Sequence, residues 1–281
     1  MKVLVTGASG LLGREMVSMY RARGVHVVAC DSAALDVTEE SLVREFISSE
    51  APDLVLHCAA YTAVDRAESE PERAFATNLG GAQNVAQACA ATGAHLVYFS
   101  TDFVFDGCSE TPYGTDDEPR PLSVYGKSKL AGEEAVAGAG GQWTTVRSSW
   151  LFGATGANFV STILERARGG VPLRVVDDQR GSPTWARDLA GTTADLIDIG
   201  ATGLVHVTNG GTATWYELAR SALEVAELEA DLQPVSSEEW KAAAVRPRDS
   251  VLDVGETEAL LGRSLAPWPE ALRAFLTGGA A

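Results

Sequence analysis

A chain of 281 residues has room for one large domain or for two lobes that share a core. Its 46% hydrophobic and 21% charged content describes an ordinary globular protein, and its net charge of −16 argues against broad nucleic-acid binding or adhesion to anionic membranes. No apolar run reaches the roughly 18 residues of a membrane span, and Lys2-Val3-Leu4-Val5 meets glycine too soon for a signal peptide. Cys30, Cys58, Cys89 and Cys108 form no Cys-x-x-Cys pair, so free thiols in a reducing, cytoplasmic compartment are expected, with no metal site.

Lys2-Val3-Leu4-Val5-Thr6 has the β-branched, apolar pattern of a strand buried on both faces. Gly7-Ala8-Ser9-Gly10-Leu11-Leu12-Gly13 follows at once, and a helical pattern then runs to about residue 23. Strand, glycine turn and helix together make the context of a dinucleotide site. Gly7 permits the tight turn, Gly10 lets backbone approach a pyrophosphate, and Gly13 permits close helix–strand packing. Ser9, Leu11 and Leu12 share that turn and join the candidate cofactor contacts. A second strand over residues 25–30 ends at Asp31, an acid placed to bind the adenosine ribose hydroxyls and repel a 2′-phosphate. That leans toward NADH, with a turn cap as the alternative role. Asp36-Val37 lies where a loop reaches adenine, and a crossover helix spans residues 39–49.

Residues 54–60 read as another buried strand, ending in Cys58, Ala59 and Ala60, which with Tyr61 leave room for a cofactor. Thr62 and Val64, in the loop that follows, lie over the C-terminal strand edge, where open α/β sheets bind ligands, and are candidate substrate contacts. A long helix from about Glu72 carries Asn78, a candidate for orienting the active site beside the cofactor. The strand at 95–100 delivers Thr101 and Asp102 to the same edge, where both are candidate substrate contacts. Tyr125 and Lys129 stand four residues apart, on one face of a helix. A phenol titrates near ~10, too high for acid–base work at neutrality, and a fixed ammonium beside it pulls that value down. Thr101 offers a hydroxyl to hold a substrate oxygen against the phenol.

After a helix over residues 128–136, the strand at 143–147 leads to Trp150, a candidate to stack on a sugar or base, with core packing as its alternative. Asn158, another candidate substrate contact, opens a helix through residue 168, and 173–176 reads as a strand of a substrate lobe. The strand at 204–208 rejoins the nucleotide lobe, and Thr214 caps a helix over 215–228. Ala244-Val245-Arg246-Pro247-Arg248 is a basic island in which Arg246 can grip a diphosphate or form a surface ion pair. A last helix covers 270–276, and 278–281 should be loose. The expected fold is α/β, a Rossmann-like doubly wound parallel sheet. Residues 1–150, rejoined by about 185–210, form its NAD(P)-binding domain, and 151–281 are mainly a smaller C-terminal substrate-binding lobe.

Thr6-Gly7-Ala8-Ser9-Gly10-Leu11-Leu12-Gly13, Ser100-Thr101-Asp102-Phe103-Val104-Phe105-Asp106-Gly107 and Tyr125-Gly126-Lys127-Ser128-Lys129-Leu130 resemble the extended short-chain dehydrogenase/reductases. Cys58-Ala59-Ala60-Tyr61-Thr62-Ala63-Val64-Asp65-Arg66-Ala67-Glu68 narrows the resemblance to the dTDP-4-dehydrorhamnose reductase branch. Asp178-Gln179-Arg180-Gly181-Ser182-Pro183-Thr184, Thr214-Trp215-Tyr216-Glu217 and Arg246-Pro247 are similar to later motifs of that branch, which often has Tyr where Phe103 stands. The resemblance implies NADH- or NADPH-dependent reduction of a dTDP-4-dehydro-6-deoxysugar at C4. Thr101, Tyr125 and Lys129 would be the catalytic triad: Tyr125 as proton donor, Lys129 depressing its pKa and holding the nicotinamide ribose, and Thr101 bonding the carbonyl oxygen. It also implies a possible homodimer and, in some members, Mg²⁺ at a dimer contact, which the sequence itself does not indicate. A regulatory subunit like the methionine adenosyltransferase beta subunit, and a nucleotide-sugar epimerase or dehydratase, are the alternatives.

Overall fold

A computed structural model describes residues 1–278; of the expected loose tail, residues 279–281 lie outside it. Six strands form one sheet: β1 (Lys2–Thr6), β2 (His26–Cys30), β3 (Leu54–His57), β4 (His95–Thr101), β5 (Trp143–Ser148) and β6 (Gly203–His206). Their order across the sheet is β6-β5-β4-β3-β1-β2, every pairing is parallel, and the order reverses between β1 and β3. Register aligns Thr6 with Cys30 and His57, and Thr101 with Ser148, so all these strands end on one edge.

Alternation along β1 decides the two faces. Val3 and Val5 pack with Met16, Leu54, Leu56, Val97 and Leu189, under the helices α1 (Leu11–Ala22) and, later in the chain, Ala186–Asp198. Leu4 points the other way, to Val55, Leu96, Tyr98 and Val136, where α2 (Glu40–Glu50), α3 (Ala82–Thr92) and α4 (Val124–Gly138) lie. A third cluster, centred on Trp150, Phe152, Leu173, Trp185, Leu218 and Trp268, belongs to the later part of the chain. It is built on α5 (Phe159–Arg168), a parallel pair of strands over Leu173–Val176 and Leu232–Val235, and the helices Trp215–Val225 and Trp268–Thr277.

Several boundaries differ from those expected. The strand of residues 54–60 stops at His57, because Cys58, Ala59 and Ala60 turn out over the glycine loop. The catalytic helix starts at Val124, four residues early, because Ser123 caps it by accepting from Gly126 N at 3.1 Å. The long helix expected from Glu72 is three pieces: Pro71–Phe75, a π-helical turn over Ala76–Gly81, and α3. Such turns interrupt an α-helix to re-aim a side chain, and here that side chain is Asn78.

Candidate active site

The glycine loop fits a dinucleotide. Gly7 has φ +61°, and a Cβ there would lie 2.6 Å from Ala59 N; one on Gly13 would lie 2.2 Å from Gly7 O. The loop is therefore as tight as backbone permits, and β3's exit packs directly on it. No side chain caps the N-terminus of α1, which leaves its first-turn N–H groups facing the loop mouth beside exposed Ser9 and Gly10, with Leu11 and Leu12 half-buried behind. Asp31, at the end of β2, accepts from Ala33 N and Ala34 N at 3.1 and 3.0 Å. The turn-cap role is thus real, and it holds a carboxylate fixed where the ribose is expected. Asp36 likewise closes a local turn by accepting from Thr38 N and Thr38 Oγ1, and Val37 is buried, its carbonyl accepting from Asn84.

Asn78 is buried and uses its whole amide. It accepts from Tyr61 N at 2.8 Å, and donates to Tyr61 O at 3.1 Å and Ser128 Oγ at 2.9 Å. Ser128 in turn donates to Tyr125 O at 2.8 Å. Asn78 therefore ties the β3 exit loop, which carries Thr62 and Val64, to the turn of α4 that bears Tyr125.

At the end of β4, Thr101 Oγ1 accepts from Phe103 N at 3.2 Å and donates to Asp102 Oδ1 at 3.0 Å. Asp102 is buried, and its second oxygen accepts from Ser250 Oγ at 2.5 Å. Burial pushes its pKa up to about 7 against those hydrogen bonds. Helix α4 reaches this close because residue 126 is glycine: a Cβ there would lie 2.2 Å from Phe103 O. Tyr125 is half-buried, its ring edge-on to Phe103 at 5.8 Å.

Lys129 does not lower the tyrosine's pKa here. Its Nζ is turned to Phe99 O at 2.6 Å, 4.1 Å over the Tyr98 ring, and burial lowers its own pKa to about 7 while Glu133 opposes. Tyr125 is pushed up to about 12 by burial, with the Thr101 hydroxyl pulling the other way and Asp102 adding to the rise.

Four expected substrate contacts have structural partners instead. Asn158 caps α5, accepting from Ser161 N at 3.1 Å and donating to Gly153 O at 2.9 Å. Trp150 is buried and stacked at 3.6 Å on Trp215, inside the C-terminal core. Arg246 makes a bidentate pair with Asp65, at 2.9 and 2.8 Å. A short helix over Val64–Ala67, within residues expected as loop, brings Asp65 there. Asp102 touches Thr101 rather than open space. Residues the sequence pattern did not expose are Ser250 and the buried Arg147–Glu133 pair, which joins β5 to α4 at 2.7 Å. Glu133 stands one turn beyond Lys129, a spacing visible in the sequence, but nothing there marks its partner.

No group of three or more His, Cys, Asp or Glu side chains that could hold a metal occurs among the described residues. Nor is any described helix long and apolar enough to cross a membrane.

A parallel sheet whose order reverses beside a tight glycine turn, with Thr, Tyr and Lys at the same edge, defines a dinucleotide-binding α/β protein of the short-chain dehydrogenase/reductase type. Within that class the chain belongs to the RmlD substrate binding domain family, whose profile matches residues 1–280. It is 42% identical to a dTDP-4-dehydrorhamnose reductase of Streptomyces griseus, over 96% of this chain and 91% of that protein. It is 40% identical to a dTDP-4-keto-6-deoxy-D-glucose reductase of Streptomyces niveus, over 89% and 87%. The crystal structure of a dTDP-4-dehydrorhamnose reductase from Bacillus anthracis in complex with NADP superposes with a TM-score of 0.95, at 37% identity and 99% coverage of both chains.

Proposed function

We propose that this protein reduces the C4 keto group of a dTDP-4-dehydro-6-deoxysugar, foremost dTDP-4-dehydrorhamnose to dTDP-L-rhamnose, at the expense of a reduced nicotinamide dinucleotide. The observation that carries this is Tyr125 beside Thr101 at the ligand-binding edge, with Lys129 one turn behind, in a chain so similar to reductases of such sugars. When bound, the cofactor supplies the hydride that reaches C4. Tyr125 gives its proton to the C4 oxygen, so the ketone leaves as a secondary alcohol. Thr101 hydrogen-bonds that oxygen as charge develops on it. Lys129 holds the nicotinamide ribose and stabilises the phenolate, for which its Nζ must leave Phe99 O.

Gly7, Ser9, Gly10, Leu11, Leu12 and Gly13 surround the pyrophosphate, Asp31, Asp36 and Val37 the adenosine, and Cys58, Ala59, Ala60 and Tyr61 the nicotinamide side. Thr62 and Val64 face the sugar from the exit loop that Asn78 holds. Arg246 reaches a diphosphate by exchanging Asp65 for it. Residues 1–150 with about 185–210 serve the cofactor, and the remainder the substrate. The protein works as a soluble enzyme, and a homodimer is compatible with it.

Replacing Tyr125 with Phe tests the assignment: turnover with a saturating keto sugar should fall on the order of 10²–10⁴-fold while cofactor still binds. Near-full turnover would remove Tyr125 from the mechanism.

A further inference from the structure

The Thr101 hydroxyl has one proton and two lone pairs. Its proton is committed to Asp102 Oδ1 at 3.0 Å and one lone pair to Phe103 N at 3.2 Å. So held, Thr101 offers a ketone oxygen only a lone pair, which repels it. The Tyr125 hydroxyl also lies within reach of Thr101, and a proton placed on Asp102 frees the threonine's own proton to turn that way. A neutral carboxyl donates to the second lone pair of Thr101, and the threonine O–H then points outward with every bond satisfied.

The surroundings of Asp102 favour this. It is 2% exposed, and its two oxygens accept from hydroxyls, Thr101 from β4 and Ser250 from the C-terminal segment, with the backbone N–H groups of Asp102 and Phe103 beside them. Among the described residues it has no ion pair. Of the titratable groups on α4, Tyr125 has its pKa raised by the carboxylate, Lys129 is turned to Phe99 O, Lys127 is exposed and Glu133 is paired with Arg147. On the C-terminal segment, Arg180 is occupied with Asp249 at 3.0 Å, and only its backbone carbonyl faces Ser250. A buried carboxyl without a cation holds its proton to unusually high pH, here to about 7.

We infer that Asp102 is a positioning residue that acts through Thr101: protonated, it turns the threonine's proton toward the substrate oxygen, and ionised, it withdraws it. This rests on the keto-reduction proposed above. Ser250, contributed by the far end of the chain, stabilises the ionised form and so sets where the change occurs.

The pH profile of kcat/KM with NADH and dTDP-4-dehydro-6-deoxy-L-mannose tests it. Wild type should lose activity above about pH 7. Asp102→Asn, whose neutral amide can donate to Thr101 at every pH, should match wild type within about threefold at pH 6 and keep that activity through the wild-type fall. Ser250→Ala should move the fall to higher pH. A fall at an unchanged pH in Asp102→Asn would overturn the proposal and assign the limb to Lys129. Titrating the carboxyl of wild-type Asp102 by ¹³C NMR serves even if Asp102→Asn does not fold, and a carboxylate already ionised at pH 6 would likewise overturn it. A wild type inactive at every pH while that carboxyl titrates near neutrality would instead count against keto-reduction.

Discussion

At the residue scale, each candidate side chain is already engaged, and its partners decide what it can do. Asp31 is held by two backbone N–H groups, so its charge is anchored at the end of β2 rather than free to swing away from a 2′-phosphate. NADH should therefore serve at least as well as NADPH, and Asp31→Ser should shift preference toward NADPH. A tenfold or greater wild-type preference for NADPH, measured as kcat/KM, would mean that Asp31 does not face the ribose. The triad was legible in the sequence because helical spacing alone sets Tyr125 beside Lys129. The cap that Asn158 makes with Ser161 is local, and its place at the start of a helix was legible. The partners of Trp150 and Arg246 were not: Trp215 and Asp65 lie 65 and 181 residues away, distances over which no local pattern carries information.

At the element scale, α4 is the part on which the site depends. Ser123 starts it, Gly126 lets it touch Phe103, Ser128 takes the bond from Asn78, and Glu133 anchors it to β5 through Arg147. Both members of that ion pair are nearly inaccessible, and no other side chain neutralises Arg147 among the described residues. Removing one partner of a buried pair strands the other's charge, at a cost of roughly 3–5 kcal/mol. Glu133→Gln should therefore destabilise the protein by about that amount in urea denaturation. Because Glu133 also supports the charge on Lys129, the variant should lower the lysine's pKa further. A loss below about 1 kcal/mol would show that the pair contributes little. The sheet strands were readable because buried parallel strands are continuous apolar runs. The π-turn was not: Thr77, Asn78, Gly80 and Gly81 are weak helix formers, but weak propensity does not tell a π-turn from a break, and its shape is set by what Asn78 must reach.

At the scale of the whole molecule, buried titratable groups set the response to acid. Burial lowers His57 to about 3 and His206 to about 4, and lowers His95 as well. Their folded values lie below the unfolded one, so the stability they contribute is present above about pH 6.5 and is lost as pH falls toward those values. Asp102 runs the other way. Raised to about 7, it contributes stability below its unfolded value near ~3.9 that is lost as pH rises through 7. Between about pH 5.5 and 4.5 the unfolded chain gains about two protons on His57 and His206 against one held by native Asp102, so stability should fall by about 1.4 kcal/mol per pH unit as pH drops. Asp102→Asn removes the opposing contribution and should steepen that fall. Urea denaturation at several pH values checks both signs, and a stability that rises on acidification would contradict them.

The most direct measurement follows the cofactor itself. Incubated with NADH or NADPH and dTDP-4-dehydro-6-deoxy-L-mannose, the protein should oxidise one reduced cofactor for each keto sugar converted to the 4-hydroxy product. Sugar conversion without net cofactor oxidation, or binding of both ligands with no turnover at any pH, would contradict keto-reduction as its function.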